Sequence, residues 1–280
     1  MTRQIIVAAV QLAFEDDMQA NIASVALRIA EAAAKGAGIA VLPELFCAPY
    51  FCKTQDERHF TTAYPAAEHP AVTALAPLAA KYDIVIPVSI FEKDGPHYYN
   101  SVVMLDADGT ILGTYRKSHI PDGPGYQEKF YFRPGNTGFK VWQTLKGRIG
   151  VGICWDQWFP EAARAMALQG ADLLLYPTAI GAEPQDPGLD TAARWRRAMQ
   201  GHAVSNVIPV AAANRIGDEA GQIFYGTSFI ADHTGEVAAE LGRTEQGVIT
   251  AAFNLDDIER DRAAWGFFRD RRPDLYTDLT

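Results

Sequence analysis

Arg148-Ile-Gly-Val-Gly-Ile-Cys154-Trp-Asp-Gln-Trp-Phe-Pro-Glu161 is the stretch on which the reading of this chain turns. An apolar, glycine-punctuated run ends abruptly at a cysteine, and a helix is expected a few residues later, near Pro160 to Gln169. The thiol then sits at the carboxyl end of a buried strand, where an α/β architecture opens a crevice. Backbone N–H groups just after it are not yet committed to a helical ladder and can face an oxyanion or a thiolate. A cysteine in such a place can also be an ordinary small buried hydrophobe. Cys154 counts as a candidate nucleophile if the chain supplies its partners.

Working outward, the chain alternates strands and helices. Gln4 to Gln11 reads as a strand apolar on both faces. Asp17 to Lys35 has helical spacing (Ile22, Val25, Ala26, Ile29, Ala30, Ala33) and is closed by Gly36 and Gly38. Ile39 to Leu42 is a short buried strand running into Pro43-Glu44. Ala71 to Lys81 reads as a helix and Ile84 to Ser89 as a strand. Tyr98 to Leu105 and Ile111 to Tyr115 alternate around Asp106-Ala-Asp-Gly109, a turn signal. Lys117 to Gly138 is a polar, Gly- and Pro-rich loop, and loops of such length in compact domains usually carry function. Strand Asp172 to Tyr176, helix Asp190 to Ser205, and strands Val207 to Ala213, Ile223 to Ala231, Glu236 to Leu241 and Gly247 to Asn254 follow. No linker divides the chain. The expectation is a single α/β domain over residues 1–280, two mixed sheets with helices on both outer faces, and an irregular tail from about 266.

Composition narrows the function classes. The 280 residues are 48% hydrophobic and 21% charged, ordinary for a globular protein with a sizeable core. No apolar run is long enough to span a bilayer, and Met1-Thr-Arg-Gln-Ile-Ile-Val leads into a strand without a cleavable signal. Three cysteines (47, 52 and 154) are too few for a disulfide scaffold, so a reducing cytoplasm is the expected setting. A net charge of −9 repels nucleic-acid phosphates and anionic membranes, so neither is an expected partner. Cys47 and Cys52 have no second Cys or His pair at zinc spacing, and no phosphate-cradling glycine loop is present. No metal or cofactor is expected.

Two further strand ends carry chemistry. Glu44 follows Ala40-Val-Leu-Pro43 and precedes Leu45-Phe46, and a carboxylate among apolar residues is a better proton acceptor. It reads equally as a helix N-terminal carboxylate. Lys117 lies in Tyr115-Arg-Lys-Ser-His-Ile-Pro-Asp122, where a strand meets the long loop. It reads also as a solvated loop cation. A thiol needs a base, and the carbonyl it attacks needs donors to hold developing charge. Glu44 can be the base, with Lys117 and the Trp155 N–H as the donors. A cysteine–histidine pairing through His119 or His202 is the competing arrangement.

Together, Leu42-Pro-Glu44-Leu-Phe46, the Lys117 segment and Gly152-Ile-Cys154-Trp-Asp-Gln-Trp-Phe-Pro-Glu161 resemble the nitrilase superfamily of carbon–nitrogen hydrolases, across essentially the whole chain. That resemblance implies an αββα four-layer sandwich, assembly into dimers or larger homo-oligomers, and a Glu–Lys–Cys triad of Glu44, Lys117 and Cys154. It also implies a second glutamate that orients the lysine, which Glu128 in Tyr126-Gln-Glu-Lys-Phe-Tyr fits. Many relatives carry Arg-Ala-x-Glu-Asn where this chain has Gly201-His-Ala-Val-Ser-Asn206, a departure expected to touch packing behind the site.

Pro121-Asp-Gly-Pro-Gly-Tyr-Gln-Glu128, Tyr176-Pro-Thr-Ala-Ile-Gly-Ala-Glu183 and Met199-Gln-Gly-His-Ala203 are similar to the carbamoyl branch of that superfamily. The implied substrate is a small ureido compound with a cationic tail, N-carbamoylputrescine, cleaved to putrescine, carbon dioxide and ammonia. Glu183 is then expected to meet the ammonium, with Tyr50 and Trp155 lining the methylene stem. A carbamoyl amino acid is the alternative, needing a cation such as Arg194, Arg196 or Arg197. A thiol redox or binding protein is the alternative outside hydrolysis.

Overall fold

In strands buried on both faces, odd and even side chains enter different layers, and this chain uses that alternation throughout. The computed structural model describes residues 3–279; Met1, Thr2 and Thr280, and with them the ends of the expected 1–280 domain, lie outside the described residues. In chain order the elements are β1 (Gln4–Gln11), α1 (Met18–Ala34), β2 (Ile39–Val41), α2 (Pro70–Tyr82), β3 (Ile86–Asp94), β4 (His97–Leu105) and β5 (Ile111–Arg116). There follow β6 (Val141–Thr144), β7 (Gly147–Val151), α3 (Pro160–Leu168), β8 (Leu173–Pro177) and α4 (Ala192–Asn206). The last are β9 (Val210–Ala213), β10 (Ile216–Glu219), β11 (Gln222–Tyr225), β12 (Phe229–Ala231), β13 (Val237–Glu240), β14 (Gly247–Asn254) and α5 (Leu255–Trp265).

One sheet has the order β13-β12-β9-β8-β7-β6. A second is built from β14-β1-β2 and β3-β4-β5, joined where Ile39 bridges Val85 in parallel, and β10-β11 form a separate antiparallel hairpin. Ala8 and Val10 of β1 face α1 and α2, meeting Val25, Ile29, Leu75 and Ala79. Val7 and Ala9 face the opposite sheet, meeting Leu173, Leu175, Ala211 and Ala213. Leu174 and Tyr176 of β8 turn the other way, onto Met166, Trp195 and Met199 of α3 and α4. Helix, sheet, sheet, helix is the αββα sandwich expected. A fourth, aromatic cluster (Tyr50, Phe51, Phe91, Tyr131, Phe132, Phe224) packs under the long loops.

The structure differs from expectation in four elements. Strand Ile223–Ala231 is broken: Gly226 and Thr227 have positive φ (58° and 56°), and Asn214 takes the freed Gly226 carbonyl at 2.9 Å. β10 and β6 form in segments read as connections. Helix α5 occupies residues read as connection to the tail, capped by the Asn254 side chain, which accepts from Asp256 N–H. Beyond Gly266 the described residues of the tail form a turn closed by Asp270 N–H on Gly266 O at 3.0 Å and two short 3-10 turns, Pro273–Leu275 and Thr277–Leu279. No helix among the described residues is long and apolar enough to cross a membrane.

Candidate active site

Glu44, Lys117 and Cys154 follow the ends of β2, β5 and β7, and each is held by its own backbone device. The Glu44 turn is gripped from three sides. Its N–H donates to Thr178 O at 3.2 Å, and the Leu45 N–H, with Leu45 at φ 49°, donates to Ser89 Oγ at 2.9 Å. The buried Arg215 guanidinium donates to the carbonyls of Glu44 (2.7 Å), Leu45 (3.0 Å) and Ala48 (3.2 Å). Arg215 is neutralised by Glu219 at 2.8 Å, and Glu219 also accepts the Tyr50 N–H. No helix starts at Glu44, so the helix-terminal reading of this carboxylate does not apply.

Lys117 is fixed by two backbone bonds: its N–H donates to Asn100 O and its carbonyl accepts from Gly135 N–H, both at 2.8 Å. A Cβ at Gly135 would lie 2.0 Å from Arg116 O, so the loop can close onto this strand end only through glycine. Cys154 has φ 42°, a left-handed conformation uncommon outside glycine. It opens a 3-10 turn, Cys154–Trp158, whose first bond runs from Asp156 N–H to Ile153 O at 3.0 Å. The Trp155 N–H therefore lies ahead of that ladder. Buried Asp156 accepts from Ile153 N–H (2.9 Å), Tyr115 O–H (2.7 Å) and His119 N–H (3.0 Å), tying the lysine segment to the cysteine turn.

At the centre the Lys117 ammonium donates to Glu44 Oε1 at 2.8 Å and to Glu128 Oε2 and Oε1 at 2.7 and 2.9 Å. All three side chains are buried. Asn100 Nδ2 donates to Glu44 Oε1 at 2.7 Å, while Glu44 Oε2 is buried without a hydrogen-bond partner among the described residues. Cys154, 5% exposed, donates its thiol to Ala179 O at 3.8 Å.

These groups act on one another electrostatically. Burial pushes the Cys154 thiol well above its ordinary range; the Glu44 charge pushes the same way and Lys117 opposes it. The resting thiol is neutral, so reaction requires a base. Burial alone would make Lys117 easier to deprotonate, but the Glu128 and Glu44 carboxylates outweigh it and keep the ammonium well above the usual lysine range. Lys117 is thus a permanent donor rather than a base. Burial lifts Glu128 to about 7, with Lys117 pulling down and Glu44 pushing up. The free Glu44 oxygen is suited to take a proton from sulfur, and the Lys117 ammonium with the Trp155 N–H to hold an oxyanion.

A cavity of about 250 Å³ opens onto the thiol, lined by Glu128, Cys154, Trp155, Glu183, Tyr126 and Arg194 among others. Trp155 and Glu183 therefore border the space expected of them. Tyr50 does not. It is fully buried behind Glu128, donating to Glu128 Oε1 at 2.7 Å, with its ring edge-on to Phe224. This corrects its expected place along a substrate stem: packing turns the hydroxyl into the charge cluster. Neither histidine lines the cavity. His119 Nδ1 meets Asp156 at 2.7 Å with its ring stacked on Phe159, and His202 meets Gln157 O at 2.7 Å. Ser205 and Asn206 also lie off it; Asn206 Nδ2 donates to His202 O at 2.9 Å. The sequence reading missed Asn100, Asp156 and Arg215 as supports. Arg215 had only a weak signal, a charge two residues past the apolar run Val210–Ala213.

Fold and site together define a hydrolase whose cavity joins a thiol to a carboxylate–ammonium cluster. The family model for carbon–nitrogen hydrolases matches residues 6–263, and the chain belongs to that family, within the nitrilase superfamily. The chain is 56% identical to the N-carbamoylputrescine amidase of Arabidopsis thaliana, covering 99% of this chain and 95% of that protein. It is 52% identical to a citrullinase of Francisella tularensis, covering 98% and 97%. The crystal structure of a carbon–nitrogen hydrolase from Helicobacter pylori superposes with a TM-score of 0.93 at 37% identity, covering 99% and 98%. The chain is a hydrolase acting on amide-type carbon–nitrogen bonds.

Proposed function

We propose that this protein hydrolyses the ureido C–N bond of N-carbamoylputrescine, releasing putrescine, carbon dioxide and ammonia in polyamine synthesis. One observation carries the reading: Cys154 and Glu183 line the same cavity, so a ureido carbon at the thiol leaves a cationic tail facing a carboxylate. The likeness to the Arabidopsis amidase supports it.

In this reading Glu44 Oε2 takes the Cys154 proton as sulfur attacks the carbonyl carbon. Lys117 and the Trp155 N–H hold the oxyanion, and Glu128 holds Lys117. Collapse breaks a C–N bond, the leaving nitrogen takes the proton from Glu44, and an acyl group remains on sulfur. Water, deprotonated by Glu44, then breaks the C–S bond and restores the thiol. Overall one water is consumed, and the carbamate formed on the way falls apart to carbon dioxide and an amine. We further propose that the protein works in the cytoplasm as a dimer or larger homo-oligomer, with neither nucleic acid nor membrane as a partner.

The test is ammonia release from a panel of ureido compounds, simple amides and nitriles. N-carbamoylputrescine is expected to be turned over fastest, and Cys154→Ala to abolish turnover. Inertness of the wild type across the whole panel would sink the proposal in favour of a thiol redox or binding role.

A further inference from the structure

One short stretch of chain, Ala179 to Glu183, serves both ends of the cavity. Ala179 O accepts from the Cys154 thiol at 3.8 Å, and Glu183 lines the wall that faces the tail. Each residue between them is tied down. Ile180 donates its N–H to Asn214 Oδ1 at 3.0 Å and accepts from Asn214 Nδ2 at 2.9 Å. Gly181 N–H donates to the Tyr126 hydroxyl at 2.9 Å, and Ala182 N–H to Ile223 O at 2.7 Å. A Cβ at Gly181 would lie 2.1 Å from Ile223 O, so β11 approaches this closely only at glycine. The Glu183 carboxylate itself accepts from Gln185 Nε2 at 3.0 Å.

Gln222, opposite Glu219 in the β10–β11 hairpin and 3% exposed, closes this network from behind. Its Nε2 donates to Ala182 O at 2.9 Å and to the Tyr126 hydroxyl at 3.0 Å, and that hydroxyl donates to Ala182 O at 3.2 Å. Gln222 does not line the cavity, so it reaches a ligand only through the segment it holds. A carboxylate on a fixed segment measures length. Hydrogen bonds keep their strength over a range of about half an ångström. One methylene more or less moves an ammonium by more than that, and a tail of the wrong length then loses a charge-assisted bond. A loosely held segment would follow the tail instead, and the discrimination would fade.

We infer that Gln222 is a positioning residue for substrate length: with Tyr126 it holds the Gly181-Ala182 backbone, fixes Glu183 relative to the Cys154 thiol, and so selects a tail of four methylenes. This rests on the functional reading above. Because Gln222 lies away from the reacting carbon, its contribution falls mainly on KM.

The experiment measures kcat/KM for ammonia release from ureido amines with three, four and five methylenes, of which N-carbamoylputrescine has four. A length without measurable turnover is read as an inhibition constant against N-carbamoylputrescine. The wild type is expected to favour four methylenes over either neighbour by about tenfold or more. Gln222→Met keeps the apolar bulk and removes the donor, and is expected to narrow that preference by about threefold or more, chiefly by raising KM for N-carbamoylputrescine. If Gln222→Met does not fold, Tyr126→Phe is read by the same criterion. A wild type that accepts the three lengths within about twofold overturns this inference and leaves the functional reading standing. So does a variant whose rates fall equally for all three, because a merely structural role lowers them together. Inertness of the wild type toward all three compounds overturns the functional reading itself.

Discussion

Tyr50→Phe removes a single oxygen, and its effect separates two roles for this residue. The hydroxyl donates to Glu128 Oε1 at 2.7 Å inside a fully buried cluster, and the bond favours the ionised carboxylate. The ring's edge-on contact with Phe224 and its tilted contact with Tyr126 are kept in the variant, so packing changes little. A hydrogen bond to a charged group contributes roughly 1.5–3 kcal/mol, and about 1.4 kcal/mol corresponds to one pH unit. Glu128 titrates at about 7 in the wild type. Its acid limb should move up by about one to two units in the variant. At pH 6, kcat/KM is expected to fall by roughly ten- to a hundredfold, and the gap to close above about pH 10, where Glu128 is ionised in both proteins. The assay is the pH profile of ammonia release with KM resolved at each pH. A raised KM with an unmoved limb would refute this reasoning and return Tyr50 to the substrate stem.

Three further outcomes follow from the same cluster. Glu128 is protonated more readily folded than unfolded, so it stabilises the fold below its ordinary value of 4.5, and that contribution is lost as pH rises through about 7. Glu128→Gln should flatten this fall, by up to about 3 kcal/mol between pH 4.5 and 8 in urea unfolding, and an identical pH slope in both proteins would contradict it. Gly135→Ala forces a Cβ against Arg116 O and should lower the urea midpoint by about 1–3 kcal/mol equivalent while impairing turnover; an unchanged midpoint counts against the tight closure over Lys117. Asn100→Ala frees Glu44 Oε1 from its amide donor and should lower kcat roughly tenfold or more with KM nearly unchanged; a change confined to KM would place Asn100 against substrate instead.

Much of this was legible in the sequence because strand ends are legible. Gln4–Gln11 and Gly247–Asn254 form over the residues their patterns outline, and they pair along their full length. Glu44, Lys117 and Cys154 each stand where an apolar run stops, and a sandwich of two sheets brings such ends to one edge. Side-chain direction and long-range supports were not legible. Tyr50 reads as a binding aromatic until Phe224 and Tyr126 fix its ring and turn its hydroxyl onto Glu128. Arg215 reads as a surface charge after a strand, yet its acceptors are carbonyls 171 and 170 residues away. The break at Gly226-Thr227 depends on Asn214, a partner in another strand connection that no local window contains. Helix α5 was a different kind of miss: its cap and acidic first turn, Asn254-Leu-Asp-Asp257, were present in the sequence.

The account stands on sulfur as the atom that receives the ureido carbon, with Glu44 moving its protons. Acid quenching of the wild type during turnover of N-carbamoylputrescine, followed by peptide mapping by mass spectrometry, reads the adduct directly. The expected result is an acyl increment on the peptide bearing Cys154 and on no other peptide, with none in Cys154→Ala. Steady turnover by Cys154→Ala, or an increment on Cys47 or Cys52 in place of Cys154, would contradict it.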